Sequence, residues 1–412
     1  MEHLSICILA PPDAINVKAA ARSVFVEIYD NYLPRFGHSV SWVLPVRKGE
    51  DYGSQRRDNI YPVSYSKGSF LPVIAINRIL LSVKKARVTS RLFRSNRFHL
   101  VQAGDNLLDG IAAYYLKKRF KTPYVLKRDD ILEKEWYSTL KGYKFLYPAI
   151  VLITLFNNLA FRWAIRAADL LLVTSKIMVE RLARQGVPRD KIMVLPRGAN
   201  IEIFSPAVNG KEVRKKYNLA EHPVILYLGT TSRIRQLDII LRAFARVREQ
   251  KEAARLLIVG DGSKEYLKDI AASLGLGDNV LFTGLVPYSE VPRFIAAADI
   301  ALCPVPPLDI YTVSSPTKLF EYMAVAKPVI ANKEIPEHKE VLEQSGGGIL
   351  VPFTEESFAK AITELLDNPK RAAEMGQRGR KWVEKTASYE ILARQVEARY
   401  LELINSTVKR PE

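Results

Sequence analysis

The run Ser314-Ser315-Pro316-Thr317-Lys318-Leu319-Phe320-Glu321-Tyr322-Met323 brings hydroxyls, a proline, a lysine and a carboxylate together at spacings that suit an anionic ligand. Ser315 is a good N-cap and Pro316 fits the first helical position, where its missing N–H costs nothing, so a helix is expected to start here. The free N–H groups and dipole of a helix start attract anions, and Lys318 adds a full positive charge. Lys318 and Glu321 are three apart and their side chains tilt back toward the helix start, so both reach the same ligand. A carboxylate repels phosphate unless it accepts hydrogen bonds from hydroxyls such as those of a ribose, and the combination suggests a nucleotide sugar. An ordinary capped helix with a Lys–Glu surface pair would use the same residues, and this segment alone does not choose between them.

A second cluster follows the strand expected at 224–228. Gly229-Thr230-Thr231-Ser232-Arg233-Ile234-Arg235 precedes a helix beginning near Leu237. Glycine and small hydroxyl residues let backbone N–H groups approach a phosphate, and Arg233 and Arg235 are suited to grip its oxygens with forked hydrogen bonds. Gly260-Asp261-Gly262 and Gly284 end two further strand-like runs. Each turn by itself also fits glycine used for geometry alone.

These turns need strands to position them. Short apolar runs at 5–10, 40–44, 99–102, 124–126 and 170–174, then at 224–228, 256–260, 280–283, 300–303, 328–331 and 348–351, alternate with helical stretches. Continuous apolar strands with helices between them indicate parallel sheets covered on both faces. The expected fold class is therefore α/β, with two doubly wound Rossmann-like domains facing across a cleft. Residues 1–200 form the first expected domain, 201–385 the second, and 386–412 a final helix packing back on the first. The 412 residues exceed one core and fit two.

Composition narrows the surroundings. The chain is 48% hydrophobic and 25% charged, and it has two cysteines, Cys7 and Cys303, which excludes a disulfide framework and points to the cytosol. Residues 1–10 lack a basic region followed by an apolar run, so no signal peptide is expected. Of the net charge of +17, residues 1–204 carry +15 and residues 205–412 carry +2. A basic half attracts polyanions, either nucleic acid or an anionic membrane. Two stretches favour the membrane. At 145–156 an apolar run, too short to span a bilayer, is bracketed by Lys141, Lys144, Arg162 and Arg166 and ringed by aromatic residues. At 76–94, Ile76, Ile79, Leu80 and Val83 line one side, with Arg78, Lys84, Lys85, Arg87, Arg91 and Arg94 around them. A buried core helix with a solvated basic face is the other reading of the same pattern. No RNA-binding signature interleaves aromatic with basic residues, and nucleic acid is not expected as a partner.

LLIVGDG (256–262), NVLFTGLV (279–286), AAADIALCP (296–304), SPTKLFEYMAVAKPVIA (315–331), FGHSV (36–40) and PRGANIEIFSP (196–206) together resemble the retaining glycosyltransferases of family 4, with the two-domain GT-B fold. The resemblance covers nearly the whole chain. It implies that Glu321 holds ribose hydroxyls, as the second glutamate of the family's E-x7-E motif, and that Ser314 and Ser315 meet the diphosphate. Gly229, Gly260, Asp261 and Gly284 belong to the donor turns, and Leu285 and Val286 form the edge that recognises the base. Arg235 stands at the family's phosphate-binding lysine and Thr230 at its arginine, with Arg233 as a substitute. Three positions depart from the pattern: Val313 replaces the first glutamate, Pro11-Pro12-Asp13-Ala14-Ile15-Asn16 lacks the glycine-rich loop, and no histidine occurs in Lys127-Arg128-Asp129-Asp130. The SPxK segment marks a branch without the first glutamate.

The implied reaction transfers a sugar, with retention, from a nucleoside-diphosphate sugar (uridine ahead of guanosine) to a saccharide or lipid-linked acceptor at the cytoplasmic face of the plasma membrane. Arg233, Arg235 and Lys318 would stabilise the leaving phosphate, so no obligatory metal or other cofactor is expected, and Asp105 and Asp129 would orient the acceptor. A soluble acceptor, a nucleotide-sugar epimerase and a non-catalytic sugar-nucleotide binder are the alternatives.

Overall fold

The computed structural model describes residues 3–10, 26–47, 58–66, 71–104, 107–128, 159 and 162–408. They contain two parallel sheets. In the first, β1 (Ser5–Leu9), β2 (Ser39–Arg47), β3 (Ile60–Tyr65), β4 (Leu100–Ala103), β5 (Tyr124–Arg128), β6 (Leu170–Val173) and β7 (Ile192–Val194) lie in the order β3-β2-β1-β4-β5-β6-β7. In the second, β8 (Val224–Leu228), β9 (Arg255–Val259), β10 (Val280–Gly284), β11 (Ile300–Cys303), β12 (Val329–Asn332) and β13 (Gly348–Val351) lie in the order β10-β9-β8-β11-β12-β13. Both orders reverse once, between β1 and β4 and between β8 and β11. This is the doubly wound α/β class expected from the sequence, and the reversal is where such sheets open a crevice at their strand ends.

Two compact units result. One extends to Leu195 and takes in the chain again from Ala393, and the other holds Pro196–Leu392. The helix Tyr389–Val408 thus begins in the second unit and continues in the first. Within the first unit, Tyr400 Oη lies 2.7 Å from Tyr29 Oη and donates to Gln102 Oε1 at 2.5 Å, while His38 Nε2 lies 2.7 Å from Glu397 Oε1.

The second sheet is sandwiched, and β8 shows how. Ile225 and Tyr227 face one apolar layer, with Leu241 and Phe244 of the helix Asp238–Arg248. Val224 and Leu226 face the other layer, with Leu319, Phe320 and Met323 of the helix Thr317–Ala324. A strand apolar on both faces reads as an unbroken hydrophobic run, which is why it is visible in sequence. The two strands that the sequence pattern does not reveal, β3 and β7, are both edges. β3 contains Pro62, which an edge tolerates because one row of backbone donors has no neighbour.

One expectation is corrected here. Lys85 is not part of a basic surface: it is 1% exposed, and its Nζ donates to both oxygens of Asp109 at 2.8 and 2.9 Å and to Ala10 O at 2.6 Å. A buried ammonium needs a counter-ion, and Asp109, from the helix Leu107–Phe120, supplies it. Ile79, Leu80, Val83, Lys84, Arg87, Arg91 and Arg94 of the helix Leu71–Ser95 are exposed. The 145–156 stretch lies outside the described residues. Among the described residues no helix is long and apolar enough to cross a membrane.

Candidate active site

The second sheet brings its turns together by backbone pairing at the strand ends. Gly229 N donates to Val259 O at 2.8 Å, Gly260 N to Gly284 O at 3.0 Å, and Thr231 N to Asp261 O at 2.9 Å. Gly260 has φ +138°, and a Cβ there would lie 1.9 Å from Gly229 O, so only glycine allows this approach. The Gly229, Gly260–Asp261 and Gly284 turns therefore form one continuous rim. Leu285, just past the rim, is 63% exposed, whereas Val286 packs against the core.

Across the reversal, the helix Thr317–Ala324 is tied to β8 by Tyr322, whose Oη accepts from Leu228 N at 2.7 Å. This sets Lys318 beside the rim: its Nζ lies 4.1 Å from the centre of the Tyr227 ring, and a Cβ on Gly229 would come within 2.7 Å of it. Tyr227 is itself fixed, donating to Thr230 O at 2.9 Å. Glu321, one turn on, is 4% exposed; burial raises its carboxyl from 4.5 to about 7, opposed by the nearby Lys318 charge. The Lys–Glu pair is thus an inward-facing feature and not a solvated surface pair.

The two arginines part company. Arg235 stacks on Tyr311 at 4.6 Å, and its charge, like that of Lys318, is felt at the Cys303 thiol at the end of β11. Arg233 is exposed and stacks on Tyr266 at 4.5 Å. The expected cap is also corrected: the helix starts at Thr317, Pro316 occupies the cap position, and no side chain caps it. The Ser315 hydroxyl is engaged elsewhere, accepting from Arg197 N at 2.8 Å and donating to Glu337 Oε1 at 2.9 Å. Ser314 N donates to Tyr311 O at 3.0 Å, which closes the turn before the helix. Asp105 and Asp129 lie outside the described residues.

Several groups at this site carry no signal of their own in the sequence. Thr231 is 1% exposed and its hydroxyl has no hydrogen-bond partner. His338 is fully buried, with Nδ1 3.0 Å from Asn332 O and Nε2 3.4 Å from Cys303 Sγ, and burial lowers it from 6.5 to about 4. Glu337 follows Pro336 at the start of the helix Pro336–Ser345. An acidic residue just inside a helix beyond a strand end was the available clue. Among the described residues no group of three or more His, Cys, Asp or Glu is placed to hold a metal ion.

Residues 209–382 match the family Glycosyl transferases group 1, and residues 25–203 match Glycosyltransferase Family 4. Each half of the chain thus matches one glycosyltransferase family model. Among its relatives is a GDP-mannose-dependent alpha-(1-6)-phosphatidylinositol monomannoside mannosyltransferase of Mycolicibacterium smegmatis, 28% identical over 52% of this chain and 57% of the relative. A D-inositol 3-phosphate glycosyltransferase of Kineococcus radiotolerans is 29% identical over 52% of this chain and 53% of the relative. The chain thus spans little more than half the length of these curated relatives. Solved structures of the same fold include a sucrose-phosphate synthase from Thermosynechococcus elongatus, with TM-score 0.73 and 19% identity over 98% of this chain and all of the other. Anabaena HepE in complex with UDP-glucose has TM-score 0.69 and 18% identity over the same shares. These neighbours show the fold alone, the two-domain GT-B architecture.

Proposed function

We propose that the protein transfers a sugar, with retained anomeric configuration, from a nucleoside-diphosphate sugar to a hydroxyl of a saccharide or lipid-linked acceptor. One observation carries this: at the reversal of the second sheet an ammonium, Lys318, lies against the glycine turn at Gly229, and a buried carboxyl, Glu321, stands one helical turn on within reach of its charge. Glu321 takes the ribose hydroxyls, and Leu285 and Val286 take the base. Lys318 and Arg235 lie at the diphosphate, where they stabilise the charge that develops as the sugar leaves. Arg233 is the outer cation of the same loop. The acceptor hydroxyl passes its proton to the departing phosphate on the same face of the sugar, with Asp105 and Asp129 orienting the acceptor. The chemistry asks for no metal.

The acceptor side is assigned to an anionic membrane on the cytoplasmic face. The exposed Ile79, Leu80 and Val83 beside exposed Lys84, Arg87 and Arg91 support that assignment, as does the phosphatidylinositol-linked acceptor in the mycobacterial relative's name.

Thermal unfolding against UDP, GDP, UDP-glucose and GDP-mannose tests the donor assignment and identifies the base, since a ligand of the folded state raises the transition by mass action. At least one pair should stabilise the wild type, and Glu321→Ala should lose most of the shift with little change in its own unfolding temperature. Equal shifts in wild type and Glu321→Ala would remove the ribose assignment.

A further inference from the structure

Position 313 presents a hydrocarbon: Val313 is fully buried in the core. A sugar carries hydroxyls on several sides, and each one enclosed without a partner weakens binding. Some other polar group at the same strand ends has to meet them.

The groups after β12 can be examined one by one. Asn332 has both side-chain polar atoms engaged, with Oδ1 accepting from Val305 N at 2.9 Å and Nδ2 donating to Glu334 Oε2 at 3.0 Å. The other oxygen of Glu334 accepts from Phe353 N at 3.1 Å. His338 is occupied by Cys303 and Asn332 O. Glu337 differs. Its Oε1 accepts from Ser315, but its Oε2 is closed off from water and has no hydrogen-bond partner.

Two contacts place this carboxyl at the donor end of the sheet. Ser315 belongs to the turn that leads into the Lys318 helix. The Cys303 thiol at the end of β11 is within electrostatic reach of Lys318, Arg235 and Glu337 alike. β12, which leads into the helix that carries Glu337, is the strand next to β11.

We propose that Glu337 is a specificity-determining residue that hydrogen-bonds a hydroxyl of the donor sugar, from the end of β12, in place of the carboxylate missing at position 313. This rests on the nucleotide-sugar reading of the same site. A hydroxyl both donates and accepts, so it satisfies Oε2 in either protonation state. Burial raises the Glu337 carboxyl to about 8. With Oε1 accepting from Ser315, the proton at neutral pH sits on Oε2, which then donates to the sugar. A neutral acid also adds no repulsion toward a neighbouring diphosphate.

Calorimetric titration of wild type, Glu337→Ala and Glu337→Gln with UDP, UDP-glucose, GDP and GDP-mannose tests the assignment. Circular dichroism of each variant establishes that it is folded. For whichever base the wild type binds, Glu337→Ala should weaken the nucleotide sugar by roughly tenfold or more and leave the nucleoside diphosphate unchanged. Glu337→Gln keeps an acceptor for Ser315 and a donor at the second position, and should recover most of the loss. A carboxyl that merely props Ser315 would weaken sugar and sugar-free ligands alike, and that result, or no change in either, overturns the proposal. A wild type that binds the diphosphate but gains nothing from the sugar also overturns it, while leaving the nucleotide site standing. Failure to bind any of the four removes the nucleotide-sugar reading and this assignment with it.

Discussion

Burial moves Glu321 from 4.5 to about 7 and Glu337 from 4.5 to about 8, and it moves His338 the other way, from 6.5 to about 4. The signs are opposite in their effect on stability. A carboxyl whose folded value is raised gives its full contribution below the unfolded value and loses it as pH rises through the folded value. The buried histidine contributes fully above its unfolded value and loses that contribution as pH falls through about 4. Above pH 6.5 the histidine is silent and only the two carboxyls remain of these three. The unliganded protein should therefore unfold at progressively lower temperature from about pH 6.5 to 8.5, with Glu337→Gln giving a shallower slope. A slope unchanged by the substitution would place the proton elsewhere. The proximity of Glu321 to Lys318 was visible in sequence because the two are one helical turn apart. Ser315 was misread, because the same residue types that cap a helix also serve a tertiary network through Arg197 and Glu337. Tyr227, Tyr266 and Tyr311, which carry the cations, are dispersed in the chain and meet only through the fold.

The helix Thr317–Ala324 is short, and both of its ends are held from outside. At its far end Ala326 N donates to Met323 O and Lys327 N to Tyr322 O, the reversed-turn termination in which glycine normally provides the left-handed residue. Here Ala326 occupies it at φ +56°. Arg380 closes the same end, donating from Nη1 to Ala324 O at 2.7 Å and to Phe204 O at 2.6 Å. A left-handed alanine is strained, so Ala326→Gly should stabilise the protein by about 1 kcal/mol, read from the midpoint of urea unfolding. Destabilisation would mean that the methyl group packs more favourably than the backbone is strained. The inner strands were recognisable as apolar runs because burial on both faces leaves few polar gaps, and the edges β10 and β13 because they are apolar in composition though only partly buried. The edge strands β3 and β7 were not, since an edge needs neither continuous apolar character nor freedom from proline.

Charge is distributed by halves, +15 in residues 1–204 against +2 in the remainder. Lys85 and Asp109 already cancel within that sum, so Lys85, although it lies in the basic helix, contributes nothing to the outer field. Replacing Lys84, Arg87 and Arg91 by glutamine should lower sedimentation with vesicles of anionic phospholipid, more at low salt than at high. Binding that survives the triple change would leave the exposed helix without its assigned partner. Composition revealed the imbalance but not which cations face outward, because a paired lysine and a free one are the same letter. The helix that begins at Tyr389 and enters the first unit at Ala393 has a temporal consequence. The second unit's strands and helices are contiguous from Pro196 to Leu392, whereas the first unit draws Glu397 and Tyr400 from beyond them. During synthesis the strands and helices of the second unit are therefore all made before the first unit receives the helix that meets Tyr29, Gln102 and His38.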